Sequence, residues 1–199
     1  MTIEYLTLLI DHLVVDNQYL LALLFYNLYM IKVEAYIENT YIKDSDSTSV
    51  IDLSSLETIP WQNWFKLWLE ALETKISVTD DYELSLRLNS DRQMQELNFQ
   101  YRQQNKSTDV LAFAALETEI IQPENTGEPL YLGDIIISVD TAVNQASDRG
   151  HSLVTEVAWL ASHGLLHLLG WDHPDETNLQ KMLSKQITLL ELVGITDLS

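Results

Sequence analysis

The chain has 199 residues, no cysteine, a hydrophobic fraction of 46% and a formal charge of −19 from 30 acidic and 11 basic residues. Its length suits one domain with a full core, and its composition excludes global disorder. The lack of cysteine excludes disulfides, thiolate metal sites and cysteine nucleophiles, while the acidic balance disfavours nonspecific duplex binding, which relies on cations displacing counterions.

In chain order, Tyr19 to Ile31 is largely apolar, yet too short to span a bilayer, and Asp11, Asp16, Lys32 and Glu34 bracket it closely. No positively charged segment precedes it and no small-residue cleavage pattern follows, which argues against a signal peptide. An amphipathic helix and a translated leader both fit it. Residues 31–42 alternate apolar and polar side chains and predict a strand, followed by a Ser/Thr/Asp-rich loop over 43–59. Pro60 opens a helix to Glu73, on which Trp61, Trp64, Phe65, Trp68, Leu69 and Leu72 form one apolar face. With only Lys66 among them, that aromatic stripe predicts core packing and not an RNA-stacking surface.

Residues 82–88 alternate cleanly and give a second strand. Ser90 or Asp91 then caps a helix to about Tyr101. Asp109–Ala115 and Leu130–Val139 supply two more strands, separated by a loop with Pro, Gly and four Glu. Asp140 is expected to cap a helix to Arg149, followed by helices over 153–169 and about 176–193. Strands early and helices late predict an α+β domain, a four-stranded mixed β-sheet packed with about five helices.

Three of the five histidines fall within His163-Gly-Leu-Leu-His167-Leu-Leu-Gly170-Trp-Asp-His173. Residues four apart on a helix project from one face. Gly170 can take the left-handed backbone that ends a helix, so that His173 swings back toward that face, and Pro174 prevents the helix from resuming. Three converging imidazoles leave a fourth tetrahedral position for water, as a catalytic zinc site requires. The spacing is that of metzincins, with one departure. Where those carry a glutamate base after the first histidine, this chain has Gly164, so peptide hydrolysis by that route is not expected. Asp172 is either a partner orienting an imidazole or an exposed turn residue. Glu156 is a weaker orienting candidate, and His12 and His151 read as surface or cap residues.

The string HGLLHLLGWDH resembles the signature of the YbeY family, single-strand-specific metallo-endoribonucleases of ribosomal RNA maturation. Two further blocks agree in kind and in order: Leu97-Asn98-Phe-Gln-Tyr101-Arg102 with Thr108-Asp109-Val110-Leu111-Ala112-Phe113, and Leu132-Gly133-Asp134-Ile135. The resemblance covers about residues 76–195. It departs at Lys106-Ser107, where the family often has Lys-Pro, and at Ala112 and Ala114, where it often has Ser and Pro.

The resemblance implies a zincin-like site with one zinc per chain on His163, His167 and His173. It also implies a phosphate-contacting or transition-state role for Arg102, and cleavage of single-stranded RNA in 16S rRNA 3′-end maturation and ribosome quality control. The expected setting is the cytoplasm, with the ribosome or its proteins as partners and no membrane. It offers no counterpart for residues 1–29, so these are expected to be an extension and 30–199 the single functional domain, starting at Met30. Lys75, Arg87, Arg92, Arg102 and Lys106 gather five of the eleven cations within 32 residues, a local patch that would guide RNA on an acidic molecule. Two rivals stay open, a zinc hydrolase of another substrate class and a non-catalytic ribosome-assembly factor with structural zinc. No residue is assigned as general base.

Overall fold

The computed structural model describes residues 31–42, 53–72, 74, 80–115 and 128–197. The chain divides into two compact units between Ile31 and Lys32, and the account below concerns the second. The expected extension, Met30 and His12 lie outside the described residues, as does most of the expected loop between the third and fourth strands.

Strand β1 (Lys32–Asn39) is followed by α1 (Ser54–Glu57), α2 (Trp61–Ala71), β2 (Asp81–Asn89), α3 (Asp91–Arg102), β3 (Val110–Ala114), β4 (Leu130–Ser138), α4 (Val139–Arg149), α5 (Leu153–Leu168) and α6 (Glu176–Leu192). The α+β expectation holds, with six helices among the described residues. The sheet runs β1-β2-β4-β3. The first three strands are parallel and β3 lies antiparallel on β4, so β1 and β3 are the edges. Between β2 and β4 the register slips at Gly133. That residue has φ +132°, and a Cβ there would sit 2.1 Å from the carbonyl oxygen of Phe113, so only glycine fits the bulge.

The alternation read in β2 buries Tyr82, Leu84, Leu86 and Leu88. The aromatic stripe of α2 is core as expected: Trp61, Trp64, Phe65 and Trp68 are buried, with Phe65 and Trp68 edge to face at 5.3 Å. Trp68 Nε1 donates to the Leu189 carbonyl at 2.8 Å and ties α2 to α6. Ser90 closes a capping box with Gln93 at the start of α3.

Two local expectations are corrected. The stretch read as loop through residue 59 contains the one-turn helix α1, seated by the buried Leu56. The N-cap of α4 is Ser138 and not Asp140, because the Asp140 carboxylate is taken by the Asp91 N–H and the Tyr41 hydroxyl.

Candidate functional site

Helix α5 crosses the sheet over β3 and β4, and Gly164 sets how close it comes. A Cβ at Gly164 would lie 2.7 Å from Ile135 Cγ2 on β4, so the glycine standing where metzincins carry a base is a packing requirement. His163 and His167 flank that seam. The helix ends in a Schellman motif, with Gly170 N–H donating to His167 O at 2.9 Å and Trp171 N–H to Leu166 O at 3.0 Å while Gly170 adopts φ +81°. The reversal returns His173 to the other two. Asp172 Oδ1 accepts from the His173 backbone N–H at 2.8 Å, so it holds the turn that carries His173 and not an imidazole.

One ring nitrogen from each of His163, His167 and His173 lies within 4.8 Å of the others. Ring centroids are 4.7, 5.5 and 5.3 Å apart, and the Nε2 atoms of His163 and His167 face each other at 3.1 Å. Burial pushes the His163 pKa down, with help from His173 and against Gln186 and Asp109. Burial, then the neighbouring His163 and His173, push His167 down to about 4, opposed by a hydrogen bond to the Trp171 backbone and by Asp172. Both imidazoles are therefore neutral near pH 7 and present lone pairs. A convergent, thiol-free set of three imidazole nitrogens, two of them held neutral, fits a divalent ion of borderline softness.

Gln186 on α6 was missed in the sequence. It is fully buried, and its Nε2 donates to the Trp159 carbonyl at 3.1 Å while its Oε1 meets His163 Nδ1 at 3.1 Å. An amide oxygen can only accept, so Nδ1 carries the proton and Nε2 keeps its lone pair for the cavity. In sequence Gln186 is one polar residue on an amphipathic helix, 23 positions from its partner, and nothing local marks it.

The histidines floor a cavity of about 490 Å³ whose wall includes Arg102, Asp109, Val110, Ala112 and Ala114. Alternation along edge strand β3 turns Val110, Ala112 and Ala114 toward it, while Leu111 packs beneath against Met94. The small side chains at 112 and 114 leave the cavity open. Asp109 is held by the Val110 N–H at 2.9 Å and the Gln145 amide at 3.1 Å. Arg102 ends α3, where Gln103 turns left-handed at φ +57°, and the buried Asn98 braces the following loop by donating to Lys106 O at 2.8 Å.

Three sequence readings near the site are corrected. Glu156 is engaged elsewhere and not by His163, His167 or His173. It is fully buried, receiving Arg149 Nη1 at 2.6 and 2.9 Å and facing His151 Nε2 at 2.6 Å. His151 is accordingly no surface residue, with a side chain only 5% exposed. The cationic patch is smaller than its count suggests: Arg87 is engaged by Glu38 and Asp134, and Arg92 by Glu96. Lys75 lies outside the described residues, which leaves Arg102 and Lys106.

The fold and site together define an α+β domain with a three-histidine group able to hold a metal on a helix and the turn after it. The family profile described as Endoribonuclease YbeY matches residues 44–194, and the chain belongs to the YbeY family. It is similar to proteins named Endoribonuclease YbeY from Trichormus variabilis, at 50% identity over 171 residues covering 83% of this chain and 97% of that one, and from Synechocystis sp., at 56% over 144 residues covering 71% and 80%. A solution structure of a Thermotoga maritima protein aligns at TM-score 0.48 and 24% identity, covering 80% of this chain and 88% of that one.

Proposed function

We propose that this domain is a zinc-dependent endoribonuclease that cleaves single-stranded RNA, acting in the cytoplasm on ribosomal RNA at the 16S 3′ end and in ribosome quality control. The observation that carries the proposal is the placement of a guanidinium, Arg102, on the wall of the cavity floored by three convergent imidazoles. Family membership supports the RNA substrate and the ribosomal setting. Among the described residues no helix is long and apolar enough to cross a membrane.

His163, His167 and His173 would hold one zinc, whose Lewis acidity activates water near neutral pH or polarises a phosphoryl oxygen. The chain's own groups do the rest. Gln186 fixes the tautomer of His163, and Asp172 fixes the turn that delivers His173. Arg102 bonds two phosphate oxygens through its planar fork and stabilises the charge that grows on them in the transition state. Gly164 leaves no carboxylate where peptidases need one, which sets the site apart from a zinc peptidase.

Metal analysis of the purified protein, with cleavage assays on single-stranded and duplex RNA, tests the proposal. The expected result is about one zinc per chain and cleavage confined to single strands. Stoichiometric zinc without cleavage would make the protein an assembly factor with a structural ion. Cleavage that survives complete zinc removal would overturn the metal's role.

A further inference from the structure

Cations are scarce on this chain, so their pairing is informative. Among the described residues, Lys32 pairs with Asp81 at 3.6 Å, Lys66 with Glu70 at 4.0 Å and Arg92 with Glu96 at 3.4 Å. Arg87 reaches Glu38 at 3.3 Å and Asp134 at 3.4 Å, and Arg149 meets Glu156 at 2.6 Å. Among the described residues, Arg102, Lys106, Lys181 and Lys185 are the cations that form no ion pair with a described carboxylate. Arg102 lines the metal cavity, and Lys106 follows it on the loop braced by Asn98. The other two share one face of α6.

That face forms an open groove of about 750 Å³, in which Lys181 and Lys185 stand with Thr177, Ser184 and Trp171. Residues 177, 181, 184 and 185 fall on a single helical stripe. Among the described residues lining the groove, the one carboxylate, Glu176, sits at its N-terminal end and is engaged by the Gln180 amide at 2.8 Å. Trp171 belongs to both places: it walls the metal cavity and it walls this groove. The unpaired positive charge thus runs from Arg102 through the cavity, past an indole, and onto α6.

We infer that the Trp171–Lys181–Lys185 face of α6 is the bed on which single-stranded RNA continues beyond the metal cavity. This rests on the endoribonuclease reading and adds where the flanking nucleotides lie. The indole offers a base the stacking surface that sequence-tolerant single-strand binding uses, and the two ammonium groups, about 6 Å apart along the helix, meet the backbone phosphates that follow. A duplex keeps its bases stacked on one another and gives the indole nothing to hold. The acidic remainder of the described surface, where the other described cations are paired with carboxylates, confines the strand to this track.

Binding is measured on the zinc-loaded full chain with a fluorescent, 2′-O-methylated twelve-nucleotide single strand that resists cleavage, over a range of salt concentrations. Lys181→Glu/Lys185→Glu should weaken binding at least tenfold and reduce the slope of log K against log salt by about 1.4, since each phosphate contact on a single strand contributes about 0.7. Trp171→Leu should weaken it roughly tenfold with little change in slope. Lys32→Glu/Arg92→Glu, with the same net charge but at carboxylate-paired cations, should bind as wild type does. Zinc content and thermal midpoint confirm that each variant is folded.

Wild-type protein that does not bind the strand overturns the inference. So does a Lys181/Lys185 double variant whose affinity and slope match wild type, or loss of equal size in both double variants, which would reduce the effect to bulk charge. Groove-dependent binding without cleavage of unmodified RNA would uphold the bed and remove the endoribonuclease reading. Cleavage with groove-independent binding would do the reverse.

Discussion

Gln186 Oε1 lies 3.1 Å from His163 Nδ1, and the same amide is locked by its donor side to the Trp159 carbonyl at 3.1 Å. The amide cannot flip without placing a nitrogen donor against a protonated ring nitrogen and a carbonyl oxygen against a carbonyl oxygen. The arrangement therefore selects one tautomer of His163 before any ion arrives.

Gln186→Leu should keep the helix packed and lower metal affinity by about 10–100-fold, the usual cost of removing a group that orients a ligand. Gln186→Glu keeps the acceptor but sets an oxygen against the Trp159 carbonyl, so it should recover only part of that loss. Competition against a chromophoric chelator reads the affinity, and histidine ¹⁵N shifts of the metal-free protein read the tautomer directly. Unchanged shifts in the leucine variant would show that something else sets the ring.

Arg102→Glu should retain zinc and fold while cleavage of single-stranded RNA falls by about 10²–10³, the cost of losing one preorganised electrostatic contact. Lysine in its place should recover only part, because a point charge lacks the two-pronged contact. Guanidinium offers a metal no lone pair, so zinc content separates this loss from damage to the histidines. A rate indifferent to Arg102→Glu would remove the residue from the site.

Gly164→Ala forces a Cβ to within 2.7 Å of Ile135 Cγ2. The overpacking should cost about 1–3 kcal/mol of stability and tilt His163 off its position, weakening metal binding as well. Ile135→Val in the same chain removes only Cδ1, at 3.4 Å, and leaves Cγ2 in place, so it should return little of either loss. Denaturant titration checks the stability, and wild-type stability in the alanine variant would mean the helix rides higher on the sheet than described.

Asp91 accepts from the hydroxyls of Ser107, Ser138 and Thr141, joining α3, the end of β4 and the loop that leads to Asp109. Burial alone would raise its pKa, but the three hydroxyls outweigh burial and hold it below the usual 3.8. The folded state therefore releases this proton more readily than the unfolded chain. Its contribution to stability is fully present above pH 3.8 and is lost as the pH falls through the lower, folded-state value. Asp91→Asn should cost on the order of 1 kcal/mol at pH 7, modest because the group is partly solvated. The gap between the two proteins should close in strong acid. Urea midpoints of both proteins from pH 7 to pH 2.5 test this, and a gap that persists to the lowest pH would assign the loss to shape and not to charge.

What could be read from the chain beforehand divides by the range of the interaction. The helix cap offered by Ser90 or Asp91, the stripe of α2 and the histidine spacing depend on residues a few positions apart, and the structure reproduces them, with Ser90 as the cap. Asp140 had the right chemistry for a cap, yet two donors from distant segments claimed its carboxylate. Glu156 lay at helical spacing from His163, but its charge was settled by Arg149 and His151, whose approach no periodicity encodes. Gln186 and the pairing of Arg87 were hidden likewise, since a polar residue on a helix or strand says nothing of what will come to face it, whereas Arg92 and Glu96, four apart on α3, were readable as a pair.

The three metal-coordinating candidates occupy one eleven-residue segment, whereas Arg102 and Gln186 are brought to them from other parts of the chain. The ion's grip and the reaction's geometry thus belong to different levels of folding order. A chain that has lost the docking of α3 keeps the three histidines on one helix and its turn, so under the proposed zinc chemistry its metal content should overstate the fraction of competent molecules, and during gradual denaturation activity should fall before the ion is released. On that reading metal content reports α5 and its turn, whereas turnover also reports the arrival of Arg102.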